Sequence, residues 1–304
     1  MEQQTELTTT SVMEIKSAPP TGFRVIAREF KKDKLALGSL LFLIVLFVGI
    51  FLAAPTFDKA EVMTVTLSGI YAEPGEEGYI LGADHAGRDV LGQLVIGARN
   101  SIMIAVAITV ITAIVGIAIG LITGYFGGFI DNFFMRIIDF FMTLPTLMII
   151  IVFVSIIPTY DWWHFVLILS LFYWVGTARL IRSKSLTESR RDYVNASKTM
   201  GTRDSVIIFR EIMPNISSLI IVELTLNFAG NIGIETGLSF LGFGLPPSTP
   251  SLGTLVSYAM NPIILSSKWW IWIPASLLIL VMMLGINYVG QALRRSADAK
   301  QRLG

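Results

Sequence analysis

Residues 192–215, with the sequence DYVNASKTMGTRDSVIIFREIMPN, differ from the rest of the chain, which is dominated by long apolar runs. Charged side chains recur through this stretch, Gly201 lies near its centre and Pro214 lies near its end. Glycine adopts turn conformations that are closed to residues with a Cβ. The sequence therefore predicts two short helices, residues 192–200 and 202–213, joined by a turn at Gly201.

The second of these helices carries an apolar ridge with charged residues on both sides. The ridge consists of Val206, Ile207, Ile208 and Phe209, and its flanks are Arg203, Asp204, Arg210 and Glu211. An amphipathic helix between membrane spans must pack its apolar face against some surface. Three surfaces fit the residues alone: the lipid, the body of the same protein, or a groove on another chain.

The composition of the whole chain sets its class. Of 304 residues, 53% are hydrophobic and only 15% are charged, and the mean hydropathy is +0.68. A soluble protein needs a more polar surface than this, so we expect an integral membrane protein. The absence of cysteine from the sequence excludes disulfides and thiolate chemistry.

Six apolar segments are long enough to cross a bilayer as helices. They are residues 36–54, 100–130, 140–160, 162–178, 212–234 and 269–293. The first follows a basic segment that lies too far from residue 1 for a signal peptide, so we expect a retained span. Between the first two spans, the alternating residues 61–67 predict a short strand.

The distribution of lysine and arginine gives the orientation. With the N-terminus inside, nineteen of the 23 basic residues fall in inner segments and four in outer segments. Short cytoplasmic segments carry such an excess of positive charge. We therefore expect both termini and residues 192–215 in the cytoplasm, and residues 55–98 and 242–250 outside.

The spacing of residues within 192–215 resembles the EAA loop of ABC-importer permeases. That loop has Glu-Ala-Ala, three residues, Gly, and about nine residues later an apolar segment ending in Leu-Pro. Here Asn195, Ala196 and Ser197 precede Gly201 by the same interval, and Pro214 ends the segment. Asn195 replaces the acidic residue and Ser197 the second alanine. In addition, Met213 replaces the leucine, and Glu211 lies where the family usually has isoleucine.

A second resemblance lies before the second span. The segments LGADHAGRDVL, residues 81–91, and GARNS, residues 97–101, are similar to the pattern LGTDxxGRDVLSRLxxGARxSL. That pattern belongs to the C-type permease subunit of the oligopeptide and dipeptide branch of these importers. It matches at many fixed positions and is therefore more specific than the EAA-like loop.

The resemblance implies an all-α polytopic membrane protein with one extra N-terminal helix and a five-helix permease core. Its parts are a cytoplasmic leader (1–35), a first transmembrane helix (36–54), an external segment (55–98), the core (99–293) with the EAA-like loop (183–215), and a cytoplasmic tail (294–304). The first helix is then an addition outside the core. The all-apolar circumference of that helix agrees with a lipid-facing position.

The implied function is that of a permease subunit in the bacterial cell membrane, forming half of the path of an ATP-driven peptide importer. No lysine follows a glycine in the sequence, which excludes a phosphate loop. We therefore expect no cofactor in this chain and ATP hydrolysis by separate subunits. The implied partners are a second homologous permease, two cytoplasmic ATPase subunits and an external substrate-binding protein. The residues expected to couple the chain to the ATPase are Asn195, Ala196, Ser197, Gly201, Val206, Ile207, Phe209 and Pro214.

Other functions stay open on the residues. A permease of the same branch could carry nickel or another small solute. A secondary transporter would need ionisable residues spread through several spans, but only Glu223 lies well inside one. Placing an acidic side chain inside a membrane span costs free energy unless it has a polar environment. Glu223 is therefore expected either to line the pathway or to make a structural hydrogen bond between helices.

Two further patterns have structural interpretations. Asp84, His85 and Asp89 could be imagined as metal ligands, but such close carboxylates are more typical of helix caps and surface groups, so we expect no metal site. Gly116 and Gly120 favour close packing of the second span against another helix.

Overall fold

The computed structural model describes residue 28 and residues 30–157, 161–246 and 248–301. Within these ranges the chain is helical and no strand occurs; one isolated bridge joins Ala83 and Asp89. The strand expected at residues 61–67 is therefore wrong. Asp58 instead caps a short helix, Lys59–Val62, by accepting a hydrogen bond from the Ala60 amide at 2.8 Å.

Twelve α-helices follow one another in the described part of the chain. They are α1 (Lys34–Ala53), α2 (Lys59–Val62), α3 (Val90–Phe126), α4 (Gly128–Thr143), α5 (Thr146–Ile156), α6 (Trp162–Glu188), α7 (Asp192–Thr199), α8 (Asp204–Val206), α9 (Met213–Phe240), α10 (Leu252–Ser257), α11 (Pro262–Ser267) and α12 (Trp269–Gln301). A π-helical segment, Ile207–Ile212, joins α8 to α9.

Among the described residues, five of these helical segments are long and apolar enough to cross a membrane: Lys34–Thr56, Val90–Phe126, Trp162–Glu188, Asp204–Phe240 and Trp269–Ala297. The pair α4 and α5 passes the same test together but is bent by 80°. Counted as one span, the pair gives the six expected. The third span was expected at residues 140–160, with Pro145 inside it; residues 158–160 lie outside the described residues, and the span begins earlier, at Gly128, and is broken. Helix α4 ends at Thr143, and Pro145, which has no amide hydrogen to donate, precedes the first residue of α5.

The closest helix pair is α3 and α6. Three glycines of α3, spaced four residues apart, lie on the face toward α6: Gly116, Gly120 and Gly124. A Cβ on any of them would lie within 3.0 Å of α6 atoms, including the backbone of Trp174, Ala178 and Arg182. The expected role of Gly116 and Gly120 in close packing is confirmed.

Helix α1 packs on the outside of the other spans. Its buried residue Leu43 lies against Gly285 of α12, and Phe47 meets Phe228 of α9 edge-on at 6.1 Å. Leu41, Val45 and Leu52 on its other faces are more than 60% exposed. This arrangement agrees with a helix that is added to a core and faces lipid.

The connecting segments gather at two opposite ends of the spans. Residues 54–89, 242–246 and 248–268 form one end, which we name the distal cap. There Trp270 donates to the Ala83 carbonyl at 3.2 Å, and Asn100 donates to the Pro250 carbonyl at 2.9 Å. The other end holds residues 183–215, the EAA-like loop.

Candidate coupling site

The EAA-like loop has the predicted helix–turn–helix form. Helix α7 ends at Thr199, and Gly201 follows with φ +79°, a conformation that favours glycine. The chain re-enters helix at Asp204 and continues through the π-helical segment into α9, where Pro214 lies in the first turn. Pro214 has no amide hydrogen to donate, and it directly follows the π-helical segment, where the Met213 amide donates to the Ile208 carbonyl.

The apolar ridge of the second helix is divided between two environments. Ile207 and Ile208 are buried at 0% and 5% exposure, in a cluster with Leu121 and Ile181 of the spans. Val206 is half-buried, whereas Phe209 is 61% exposed. Successive helical residues point about 100° apart, so four in a row cannot share one face. The ridge is therefore not a single contact surface: one side belongs to the body of the protein.

Two large apolar side chains lie on the surface of the EAA-like loop. Met200, just before the turn, is 77% exposed, and Phe209 follows in the π-helical segment. Asn195, Ala196, Gly201 and Pro214 are exposed as well. Most of the residues expected to couple the chain to a partner are thus accessible.

The loop is attached to the C-terminal end of α3 through Tyr125. The Tyr125 hydroxyl donates to Asp204 Oδ1 at 2.6 Å, and the Lys198 ammonium lies 4.5 Å from the centre of the Tyr125 ring. Ser189 donates to the carbonyl of Gly124 at 3.2 Å. Both short helices therefore contact the same turn of α3.

Two of the positions at which this loop departs from the family pattern contact each other. The Ser197 hydroxyl donates to Glu211 Oε1 at 2.9 Å, joining α7 to the π-helical segment. Ser197 is buried and Glu211 is half-buried. Both departures are visible in the sequence, but no local pattern indicates that the two side chains form a pair.

A buried ion pair lies close to the loop and was missed from sequence. Arg182 of α6 donates from Nε to Asp131 Oδ1 at 2.8 Å and from a second nitrogen to Oδ2. The Asp131 side chain is 12% exposed. Because Asp131 lies in the first turn of α4, this bidentate pair fixes the bent span against α6.

Glu223 lies at a helix interface. Its carboxylate accepts from Asn227 Nδ2 at 3.2 Å, and the same amide group donates to Thr177 of α6 at 3.0 Å. The bond made by Glu223 itself lies within α9, and only Asn227 reaches α6, so both roles of Glu223 remain predictions.

A second acidic residue, Glu235, is fully buried near the distal end of α9. Its Oε1 accepts from Ser239 at 2.9 Å, and the hydroxyls of Ser101 and Ser251 lie beside the carboxyl group. These residues connect α3, α9 and the N-terminus of α10. Glu235 lies just beyond the apolar segment expected as a span, so the sequence did not mark it as an intramembrane acidic residue. Ser239, four residues later on the same helix, was the available signal of a hydrogen-bonding partner.

Of the two acidic residues before α3, Asp89 caps the helix as expected, whereas Asp84 is fully buried and binds the amides of its own turn. Asp89 accepts from the amide of Gly92 at 2.9 Å, and Asp84 accepts from those of Ala86 and Arg88 at 2.8 and 3.1 Å. Gln93 also donates to Asp84 at 3.0 Å. In the described ranges no group of three or more potential metal-ligating side chains occurs.

Comparison with known proteins places these features in a family. The model of the family "Binding-protein-dependent transport system inner membrane component" matches residues 116–303. The oligopeptide transport system permease protein OppC of Lactococcus lactis subsp. lactis (strain IL1403) is 52% identical over 276 residues, covering 91% of this chain and 94% of that protein.

More distant relatives carry related names. OppC of Bacillus subtilis (strain 168) is 33% identical over 90% of this chain and 88% of its own length. The di/tripeptide transport system permease protein DppC of Pseudomonas aeruginosa (strain UCBPP-PA14) is 33% identical over 92% of this chain and 93% of its own length. With its apolar helices, the chain is a multi-pass protein of the bacterial inner membrane. It belongs to the family of binding-protein-dependent transport system inner membrane components.

Proposed function

We propose that this chain is the permease subunit of an ATP-driven importer of peptides and forms half of its translocation path. The observation that carries the proposal is the 52% identity, over 91% of the chain, to a protein named as an oligopeptide permease. The relative named for di- and tripeptides is more distant, at 33%. An oligopeptide permease relative is also 33% identical, so the proposed substrate class is peptides, either oligopeptides or dipeptides.

The importer needs further subunits. ATP is bound and hydrolysed by two cytoplasmic ATPase chains, since this sequence lacks the glycine–lysine pair of a phosphate loop. A second, homologous permease completes the path, and an external binding protein delivers the peptide. The EAA-like loop contacts the ATPase through its exposed apolar residues, Met200 and Phe209.

The contacts of the loop suggest how motion reaches the spans. A displacement of the loop by the ATPase acts on α3 through the Tyr125–Asp204 hydrogen bond. The Arg182–Asp131 pair carries the same displacement from α6 to the bent span, α4 and α5. Rocking of these helices against the second permease opens the path alternately to the two sides.

The substrate class is tested by transport. The complete importer, reconstituted in proteoliposomes with internal ATP, should accumulate a labelled oligopeptide only when its binding protein is present. Nickel added in the same assay serves as the control solute. Accumulation of nickel without accumulation of any peptide would overturn the peptide assignment and support the small-solute alternative.

The proposed orientation follows the nineteen-to-four charge bias and has its own test. The chain contains no cysteine, so each single-cysteine variant carries one thiol. Cysteines replacing Glu76 and Ser248 should react with an impermeant maleimide outside intact cells, and those replacing Lys198 and Lys300 should not. External labelling at Lys198 would rule out contact between the EAA-like loop and a cytoplasmic ATPase.

A further inference from the structure

An apolar cleft of about 500 Å³ lies between α1 and the two helices behind it, α9 and α12. One wall consists of Leu37, Leu40, Leu43, Ile44 and Phe47 of α1. The other is formed by Thr225 and Phe228 of α9 with Ile286, Val289 and Leu293 of α12. Since all three helices are membrane spans, the open side of the cleft faces the bilayer.

The apolar wall has the length of one bilayer leaflet. Leu37 and Phe47 are ten residues apart on a continuous helix, a rise of about 15 Å. The hydrocarbon core is about 30 Å thick, so one leaflet accounts for about 15 Å. The cleft therefore matches the depth of a single acyl chain.

The mouth of the cleft is basic. Lys31 is the one charged residue of its lining, and it is exposed and makes no ion pair with any other described residue. On the opposite wall, Arg294 and Arg295 directly follow Leu293. Residues 30–34 and 293–297 together hold five lysines and arginines and one acid.

The single acid, Asp33, pairs with one of the five cations, Arg295. Asp33 accepts from the Ala36 amide at 3.0 Å and from Arg295 Nη2 at 2.8 Å, which joins the start of α1 to the end of α12. These two contacts, the amide first, hold the pKa of the Asp33 carboxyl below its usual value. Apart from Arg295, the residues Lys31, Lys34 and Arg294 bring positive charge to the point where the cleft reaches the membrane surface.

We propose that this cleft binds one acyl chain of an anionic phospholipid, with the lipid phosphate held by Lys31 and the neighbouring basic residues. An acyl chain complements the apolar walls, and a phosphate complements the excess of positive charge at their end. The bound lipid fills the gap between the added helix and the core. The inner-leaflet content of anionic lipid then determines how firmly α1 is attached.

The test measures lipid retention by the purified importer after exchange into mixed micelles of detergent with phosphatidylglycerol and phosphatidylcholine. The unmodified protein should retain phosphatidylglycerol in preference to phosphatidylcholine. In Lys31→Gln that preference should fall about fivefold, the value expected for one membrane-surface charge. Lys184→Gln removes an exposed cation of α6, away from the cleft, and should leave the preference unchanged.

A second variant tests the acyl chain separately from the headgroup. Ile44 lines the cleft and is 50% exposed, so Ile44→Trp adds bulk to the cleft without disturbing a buried position. It should lower the total amount of retained phospholipid. Equal retention of the two lipids by the unmodified protein would overturn the proposal. So would a photo-crosslinker at Ile44 that captures residues 1–27 or the second permease instead of lipid.

Discussion

Each end of the molecule contains a turn with a glycine at positive φ, but the space around the two glycines differs. Gly87 in the distal cap and Gly201 in the EAA-like loop have φ of +71° and +79°. A Cβ on Gly87 would overlap the backbone of Thr66, whereas a Cβ on Gly201 would have nothing within 4 Å. One turn is enclosed by its own chain, and the other is open.

The hydrogen bonds also show that the distal cap is more enclosed than the EAA-like loop. In the cap, backbone bonds join Thr66 to Ala86 and Tyr71 to Asp84, and Trp270 reaches across from α12 to Ala83. The loop is attached to α3 at Tyr125 and Gly124 and is otherwise exposed on its outer side. The difference shows that the cap is fixed by its own contacts, whereas the turn of the loop at Gly201 and its outer surface are open.

The largest effect is expected from Gly87→Ala. Any non-glycine residue with this φ is strained by about 1–2 kcal/mol, and here the added Cβ also overlaps a backbone carbonyl that cannot move independently. The cap should fail to form, and the protein should be depleted from the membrane. Gly201→Ala carries the strain without the overlap and should remain abundant. Equal abundance of the two variants would show that the cap is as open as the loop.

The next effect separates the two sides of the loop. Ile207→Ala removes a fully buried side chain and should lower the free energy of unfolding by about 2–5 kcal/mol. Phe209→Ala removes an exposed side chain and should leave stability within about 0.5 kcal/mol. Thermal unfolding of the purified chain measures both.

For binding to the ATPase, the order of the two variants should be reversed, with Phe209→Ala having the larger effect. If Phe209 is buried in the contact, its truncation removes about 1–3 kcal/mol of binding free energy. That corresponds to an association about five- to hundred-fold weaker at ~1.4 kcal/mol per decade. Leu241→Ala, an exposed apolar residue at the distal end, is the control in the pull-down. Unchanged ATPase binding by Phe209→Ala would refute the contact through this residue.

Sequence predicted the apolar segments and the roles of particular glycines, but little of the pairing and burial between distant segments. The turn at Gly201 and the packing of Gly116 and Gly120 followed from the special conformation and small size of glycine. The six apolar segments followed from bilayer thickness. Bilayer thickness, however, does not specify where within an apolar region a helix begins.

The predictions that failed share a physical cause: each depends on contacts between segments that are far apart in the sequence. Helix α4 begins at Gly128, and its charged residues Asp131, Arg136 and Asp139 made it resemble a connecting loop. Asp131 becomes acceptable near the membrane only because Arg182 pairs with it, and that partner is 51 residues away. The division of the apolar ridge likewise depends on which spans lie beneath it. Pairing and burial between distant segments are not visible in local patterns.

The smallest effect concerns the two departures from the EAA pattern, Ser197 and Glu211, which are hydrogen-bonded to each other at 2.9 Å. Ser197→Ala and Glu211→Ile each restore the family's residue but leave the other partner without its hydrogen bond. We expect each single variant to lose about 0.5–1.5 kcal/mol of stability. The double variant should recover most of this loss, because the apolar pair needs no hydrogen bond.

A double-mutant cycle on thermal unfolding measures the coupling between these two side chains. Thr199→Val, which removes an exposed hydroxyl that donates to the Asn195 carbonyl within α7, is a control with no hydrogen bond to Glu211 in the part of the chain that the structure describes. Combined with Glu211→Ile, its effect should be additive. Additivity for Ser197→Ala and Glu211→Ile as well would mean that the pair does not hold the two helices of the loop together. The turn at Gly201 would then lack the stabilising hydrogen bond between Ser197 and Glu211. The EAA-like loop would differ from the enclosed turn of the distal cap even more than the structure indicates.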